Sequence, residues 1–377
     1  MRRFSVVAIF LSSLASLASL AGCSSSSSND GMGSMPMDGG TTIDSGMAMD
    51  TGMSGSNPSS TPVAAITGDA VFVVNGGSNS ISVVVPGMNM VMATIALQNV
   101  AFPHHVNLSA DRTQMLVAIP GMDMSQGHTG GTVGMKGAVL LLDAKTGKTI
   151  ASRMLDQMNH NATFSPSGAE VWTSQMTMGG TVLVLDPMTL ATKSTIPVGD
   201  MPAEVTFSKD GRYAFVANGM SNDVSVIDVA TKKVVRAIAV GNDPVGAWPG
   251  SDGLMYVDAE QGKSVSVIDP ASLTVTRTYA LGFMPGMART TPDGKELWVT
   301  NADDGKVAYF STTATTKVGE FATGAGAHAI TFSADGMTAY VTNQSAGTLS
   351  VVDVMQHKVV TSVKVGDKPN GVVYRAK

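Results

Sequence analysis

From about residue 63 to the C-terminus the chain alternates short hydrophobic runs with turn residues, and the alternation itself repeats. One unit runs through residues 205–211, 213–218, 224–228 and 233–241. Its first run closes on Ser208-Lys209-Asp210-Gly211, its second on Asn218 and its third on Asp228. The fourth is β-branched and closes on Val240-Gly241. Runs of period two bounded by such stops read as strands joined by tight turns, so each unit is a four-stranded antiparallel meander. A repeat of roughly 40 to 45 residues with four strands per unit indicates a β-propeller. Second strands start near Val71, Met115, Val171, Ala214, Met255, Leu297 and Ala339, which sets the number of blades at seven. The first unit has no innermost strand of its own, while residues 371–375 form a strand with none after it. The C-terminal strand is therefore expected to complete the N-terminal blade and to cover an edge that would otherwise pair with other chains.

The second strands end in Phe72-Val73-Val74-Asn75, Phe215-Val216-Ala217-Asn218, Trp298-Val299-Thr300-Asn301 and Tyr340-Val341-Thr342-Asn343. With the neighbouring Ser-Ala-Asp-Gly and Val-Gly turns, this resembles the YVTN-type β-propeller repeat family over essentially all of residues 63–377. The resemblance implies an all-β, seven-bladed ring. It singles out no activity, because that family includes binding, surface and enzyme-like members.

Ahead of the repeat the pattern changes. Arg2 and Arg3 precede an apolar stretch over residues 4–20, the order of a processing signal. The stretch ends in Leu20-Ala21-Gly22-Cys23, which resembles the lipobox of bacterial lipoproteins. That resemblance implies a signal peptide over residues 1–22, lipidation of Cys23, and attachment to a membrane of the cell envelope outside the cytoplasm. Ser24 after the cysteine suits, by the same resemblance, the outer membrane. Residues 24–62 are mainly Ser, Gly, Met, Asp and Thr, without Lys or Arg. Lacking apolar periodicity, they are expected to be a disordered tether. Met32, Met35, Met37, Met47, Met49 and Met53 punctuate it, either as part of a solvated linker or as loose soft-metal ligands.

Composition narrows the function mainly by exclusion. A charged fraction of 14% and a net charge of −5 leave no basic stripe for nucleic acid. Cys23 is the single cysteine, so there is no disulfide, no haem-attachment pair and no thiolate cluster. The propeller carries no H-E-x-x-H, Walker-type or G-x-S-x-G motif. An enzyme on this fold would assemble its site from separate blades, so lactonase-like or oxidoreductase-like chemistry stays open. The carboxylates available for it, Asp123, Asp156, Asp200, Asp243, Glu204, Glu260, Asp303 and Asp304, are spread over different blades. The chain is read as a monomer.

A repeat separates blade chemistry from site chemistry, because what recurs in every blade serves the blade. Phe72, Trp172, Phe215, Tyr256, Trp298 and Tyr340 share one register with Leu116, and are expected to pack blade on blade. Asp143, Asp186, Asp228, Asp269 and Asp353 end third strands and suit turns. The histidines do not recur in this way. His104, His160 and His328 hold one register at the start of three innermost strands, where the other blades carry Ala203, Val245, Gly286 and Asn370. Three imidazoles at one mouth of the ring is the geometric expectation. His105, next along the strand from His104, is expected to point away, and His357 falls in a turn of the opposite face.

The same face collects an insertion over residues 120–136 with Met122, Met124, His128 and Met135. Met158, Met176, Met178, Met201, Met220, Met284 and Met287 lie in adjoining loops. Imidazole with thioether is a ligand set for copper, above all Cu(I). His104, His160, His328, His128, Met122, Met124 and Met158 are the candidate ligands. Copper is the metal they suggest, and a metal-free, methionine-rich contact for a protein partner is the competing reading.

Overall fold

The structure is a computed structural model that describes residues 56–125 and 135–377. Cys23, the tether methionines and His128 lie outside the described residues. Among the described residues there is no helix, and the strands form seven antiparallel sheets. Six blades are sequential four-stranded meanders over residues 106–154, 162–197, 202–239, 244–280, 285–322 and 327–364, here blades 2 to 7. Blade 1 is built from both ends of the ring. Ala70–Asn75, Ser80–Val85 and Met90–Gln98 pair in order, and Pro369–Arg375 supplies the innermost strand. Its register sets Ala70 opposite Arg375, Phe72 opposite Val373 and Val73 opposite Val372. The innermost strands touch one another in sequence right round the centre, so the ring is closed. A short strand that the repeat does not announce, Ser59–Ser60, pairs with Gln98 and Leu97 on the outer edge of blade 1.

The repeated turn residues have identifiable tasks. In blade 4 the Ser208 hydroxyl donates to Asp210 Oδ1 at 2.6 Å, and Asp210 accepts from the Arg212 amide at 3.1 Å. Gly211 sits between them at φ +72°, the left-handed conformation that glycine adopts without a Cβ penalty. The Asn that closes second strands reaches across to the third. Asn218 Nδ2 donates to Ser225 Oγ at 2.9 Å, and Asn75 and Asn343 do the same to Ser82 and Ser350. A buried amide that meets its partner inside its own blade fixes the hairpin at a depth where an unpaired polar group would be costly.

Between blades the contacts are apolar. Trp172 is fully buried and meets Phe207 of the next blade edge-on, with ring centroids 5.3 Å apart. Trp298 holds the corresponding place against Phe332 at 5.5 Å. Each inter-blade cluster draws its Val, Ile, Leu and aromatic side chains from adjacent sheets. The hydrophobic core is thus a ring of wedges, and the inner strands that open it at one face carry the candidate site.

Candidate metal centre

The innermost strands enter from one face, and their first residues are held by a device that recurs between blades. Thr300 Oγ1 donates to the His328 carbonyl at 2.6 Å and Thr342 Oγ1 to the Asn370 carbonyl at 2.8 Å. Ser174 Oγ donates likewise to the Ala203 carbonyl. Each hydroxyl sits on a second strand and grips the entry residue of the next blade, so side chains at this register are presented from a fixed backbone. The His104 segment is gripped by backbone instead. Its amide donates to the Ala118 carbonyl at 2.9 Å, and its carbonyl accepts from the Gly371 amide at 2.7 Å. A Cβ at Gly371 would stand 2.6 Å from the His104 oxygen and 2.8 Å from the His105 Cα, so this close approach needs glycine.

His104, His160 and His328 stand together at the mouth of the ring. The His104 ring centroid lies 4.6 Å from that of His160 and 5.4 Å from that of His328. The expectation for His105 is corrected: its ring lies 4.6 Å from that of His104 and 4.8 Å from that of His160. Strand alternation fails as a guide here because regular pairing in this strand starts only at Val106, beyond both histidines. One ligating nitrogen from each of His104, His105 and His160 can be chosen so that all three lie within 4.8 Å of one another. His328 adjoins this trio through His104 rather than belonging to it.

Glu204, from the inner strand of blade 4, closes the cluster from the other side. Its side chain has no exposed surface, and its Oε1 lies 3.0 Å from His105 Nε2 and 3.1 Å from His160 Nδ1. The two contacts are close, yet neither has the alignment of a hydrogen bond, so the carboxylate faces both rings without fixing their tautomers. A buried carboxylate set against imidazoles in this way is the kind of outer group that orients metal-ligating rings.

Of the carboxylates that look scattered in sequence, Glu204 and Glu260 lie near a third, Asp258. Asp258 is 1% exposed and accepts from Trp248 Nε1 at 2.6 Å. Burial pushes its pKa well above the usual carboxylate range, and the negative charges of Glu204 and then Glu260 push it the same way. Asp258 stands on the second strand at the register of Ser174, Thr300 and Thr342, so blade 5 carries a carboxyl group where others carry the gripping hydroxyl. Comparison of that register across the blades was the signal available in sequence. Trp248 in turn brings its ring to 6.0 Å from that of His105.

The methionines divide. Met124, Met158 and Met176 are buried with Ala203 and Val245, and Met122, Met135 and Met201 pack around them. Met178 and Met220 are exposed, and Met287 is taken up in the core between blades, its sulfur accepting from the Ile330 amide. His357 lies apart, stacked on Tyr309 at 4.0 Å and paired with Glu296 at 2.8 Å. Lys368 pairs with Asp123 and so ties the start of the 120–136 insertion to the approach of the last strand.

Comparison with known proteins agrees with this architecture. A family model described as YNCE-like β-propeller matches residues 171–253. No significant match is found among curated protein sequences. Among solved structures, the periplasmic gluconolactonase of Pseudomonas aeruginosa superposes with a TM-score of 0.67 at 19% identity, covering 82% of this chain and 99% of that one. A protein of unknown function from Desulfotomaculum acetoxidans gives 0.66 at 14% identity, covering 82% and 99%. A 6-phosphogluconolactonase assignment from Bacteroides uniformis, described as putative, gives 0.65 at 16% identity, covering 82% and 100%. By fold, the chain is a seven-bladed β-propeller of the repeat type.

Proposed function

We propose that the protein is an exported, lipid-anchored propeller that binds a copper ion at the mouth of its ring through His104, His105 and His160. The observation that carries this reading is the buried trio of imidazoles, with ligating nitrogens within 4.8 Å of one another and Glu204 against two of the rings. Imidazoles suit Cu, Zn, Ni and Fe, and among divalent ions of this row Cu²⁺ binds a given nitrogen and oxygen site most tightly. An ion about 2 Å from each nitrogen needs them about 3.3 Å apart, so binding would draw the rings together by small side-chain rotations. Titration of the full chain with Cu²⁺ and Zn²⁺ tests it, with one tight Cu²⁺ equivalent expected. The triple variant His104→Ala, His105→Ala, His160→Ala should lose that equivalent, and unchanged binding would defeat the reading. Anchoring through Cys23 rests on the signal-like segment alone. Its test is Cys23→Ala, which should move the protein from the membrane to the soluble fraction.

A second reading, hydrolysis of a sugar lactone at the same mouth, is favoured by one feature of the site. Asp258 is a buried carboxyl whose pKa is raised by burial and by the charge of Glu204, a shift of the kind acid–base chemistry uses. Two of the fold neighbours are named as lactonases. Turnover of gluconolactone and 6-phosphogluconolactone by the full chain, lost in Asp258→Asn, would favour it. A flat panel with and without copper would retire it.

A further inference from the structure

The methionines at the mouth of the ring form a cluster of their own. Met122, Met124 and Met135 come from the insertion of blade 2, Met158 and Met176 from two loops of blade 3, and Met201 from the entry loop of blade 4. Loops of three blades thus bring six thioethers to one spot. They lie over Ala203 and Val245, entry residues of the ring that carries His104, His160 and His328 elsewhere. Packing alone does not ask for this composition. The clusters between blades are filled by Val, Ile, Leu and aromatic side chains, with methionine a minor member. At the mouth the pattern inverts, and methionine supplies every side chain larger than valine.

We propose that Met124, Met158 and Met176, with Met122, Met135 and Met201 around them, form a second metal site, selective for Cu(I) and separate from the imidazole site. Thioether sulfur is a soft, polarisable, uncharged donor that favours Cu(I) over Cu(II) and over hard cations. The two donor sets therefore divide the oxidation states of one element, nitrogen for Cu(II) and sulfur for Cu(I). Methionine's unbranched side chain lets the sulfurs turn inward around an ion without moving the loops. Three of the six are buried and three are partly buried, so the cluster is both enclosed and reachable from the face. The site does not depend on the imidazole reading, and either can fail alone.

The test uses the full chain, Ag⁺ as a redox-inert probe of the Cu(I) site, and methionine labelled with ¹³C at its methyl group. One equivalent of Ag⁺ is expected to shift the methyl resonances of Met124, Met158 and Met176. The variant Met124→Leu, Met158→Leu, Met176→Leu keeps the packed volume nearly constant. It should bind Ag⁺ at least tenfold more weakly at this site while its Cu²⁺ titration stays as in the parent. The triple His→Ala variant should show the converse. The proposal is overturned if Ag⁺ leaves those three resonances in place and moves only exposed or tether methionines. It is equally overturned if the triple Leu variant binds the same tight equivalent. The methyl shifts on the parent protein decide the matter even if the Leu variant fails to fold.

Discussion

Glu204→Gln is the substitution that separates an orienting carboxylate from a merely buried one. The side chain is fully enclosed and lies 3.0 Å from His105 Nε2 and 3.1 Å from His160 Nδ1. A glutamine keeps the shape but offers one acceptor oxygen and an amide donor in place of two equivalent acceptors. Its oxygen can face one of the two rings, and its amide then presents a donor to the other. Loss of such an outer partner costs metal affinity about 10- to 100-fold, equivalent to about 1.4 to 2.8 kcal/mol. Competition titration with Cu²⁺ against a chelator of known affinity measures this directly. The same change removes a negative charge that raises the pKa of Asp258, so the Asp258 carboxyl should titrate at lower pH in the variant, observable by ¹³C NMR. An affinity within twofold of the parent, with the Asp258 titration shifted as expected, would show that Glu204 does not govern the imidazoles.

Three further outcomes follow from the fold and the site. Truncation after Lys368 strips the inner strand from blade 1 and exposes Val71, Phe72 and Val73; at 1.5 to 3 kcal/mol for each large side chain the cost is on the order of 5 kcal/mol, against a total of roughly 5 to 15. Thermal unfolding should lose its sharp transition or fall by roughly 8 °C, the shift that such a cost gives a domain of this size, and a near-parental melting curve would contradict closure by the last strand. Asp258 has a folded pKa above its unfolded one, so the folded state holds the extra proton between those values and stability declines as pH rises through that window. Asp258→Asn should flatten this decline in urea unfolding measured across pH 4 to 8, whereas an unchanged slope would mean that another group is responsible. Trp172→Ala should cost about 3 to 5 kcal/mol because a fully buried indole between two blades leaves a cavity; a loss under 1 kcal/mol would deny it a role in the wedge.

The ring was legible because it is written many times over. Period-two runs, Ser-x-Asp-Gly turns and Asn-terminated second strands each correspond to a local contact, such as Asn218 to Ser225 or Ser208 to Asp210, that a short segment makes with itself. The blade count and closure by the C-terminal strand followed from the same bookkeeping of strands, since an unpaired edge has one available partner. The common register of His104, His160 and His328 was equally readable, because equal register in a ring of equivalent blades means equal height. What sequence could not decide was direction and approach across the centre. His105 joins its neighbour because the strand is not yet regular at that point, and alternation applies only where the ladder exists. Glu204, Asp258 and Glu260 come from two neighbouring blades and share one buried space, although nothing in their spacing along the chain says so. The methionines on one face are divided by packing alone into a buried cluster, exposed side chains and a core residue. Sequence by itself determined the repeat and hence the ring, through contacts short in chain distance. Which polar groups meet inside that ring was decided by tertiary structure, because their interactions depend on distances of a few ångströms between blades that no local pattern encodes.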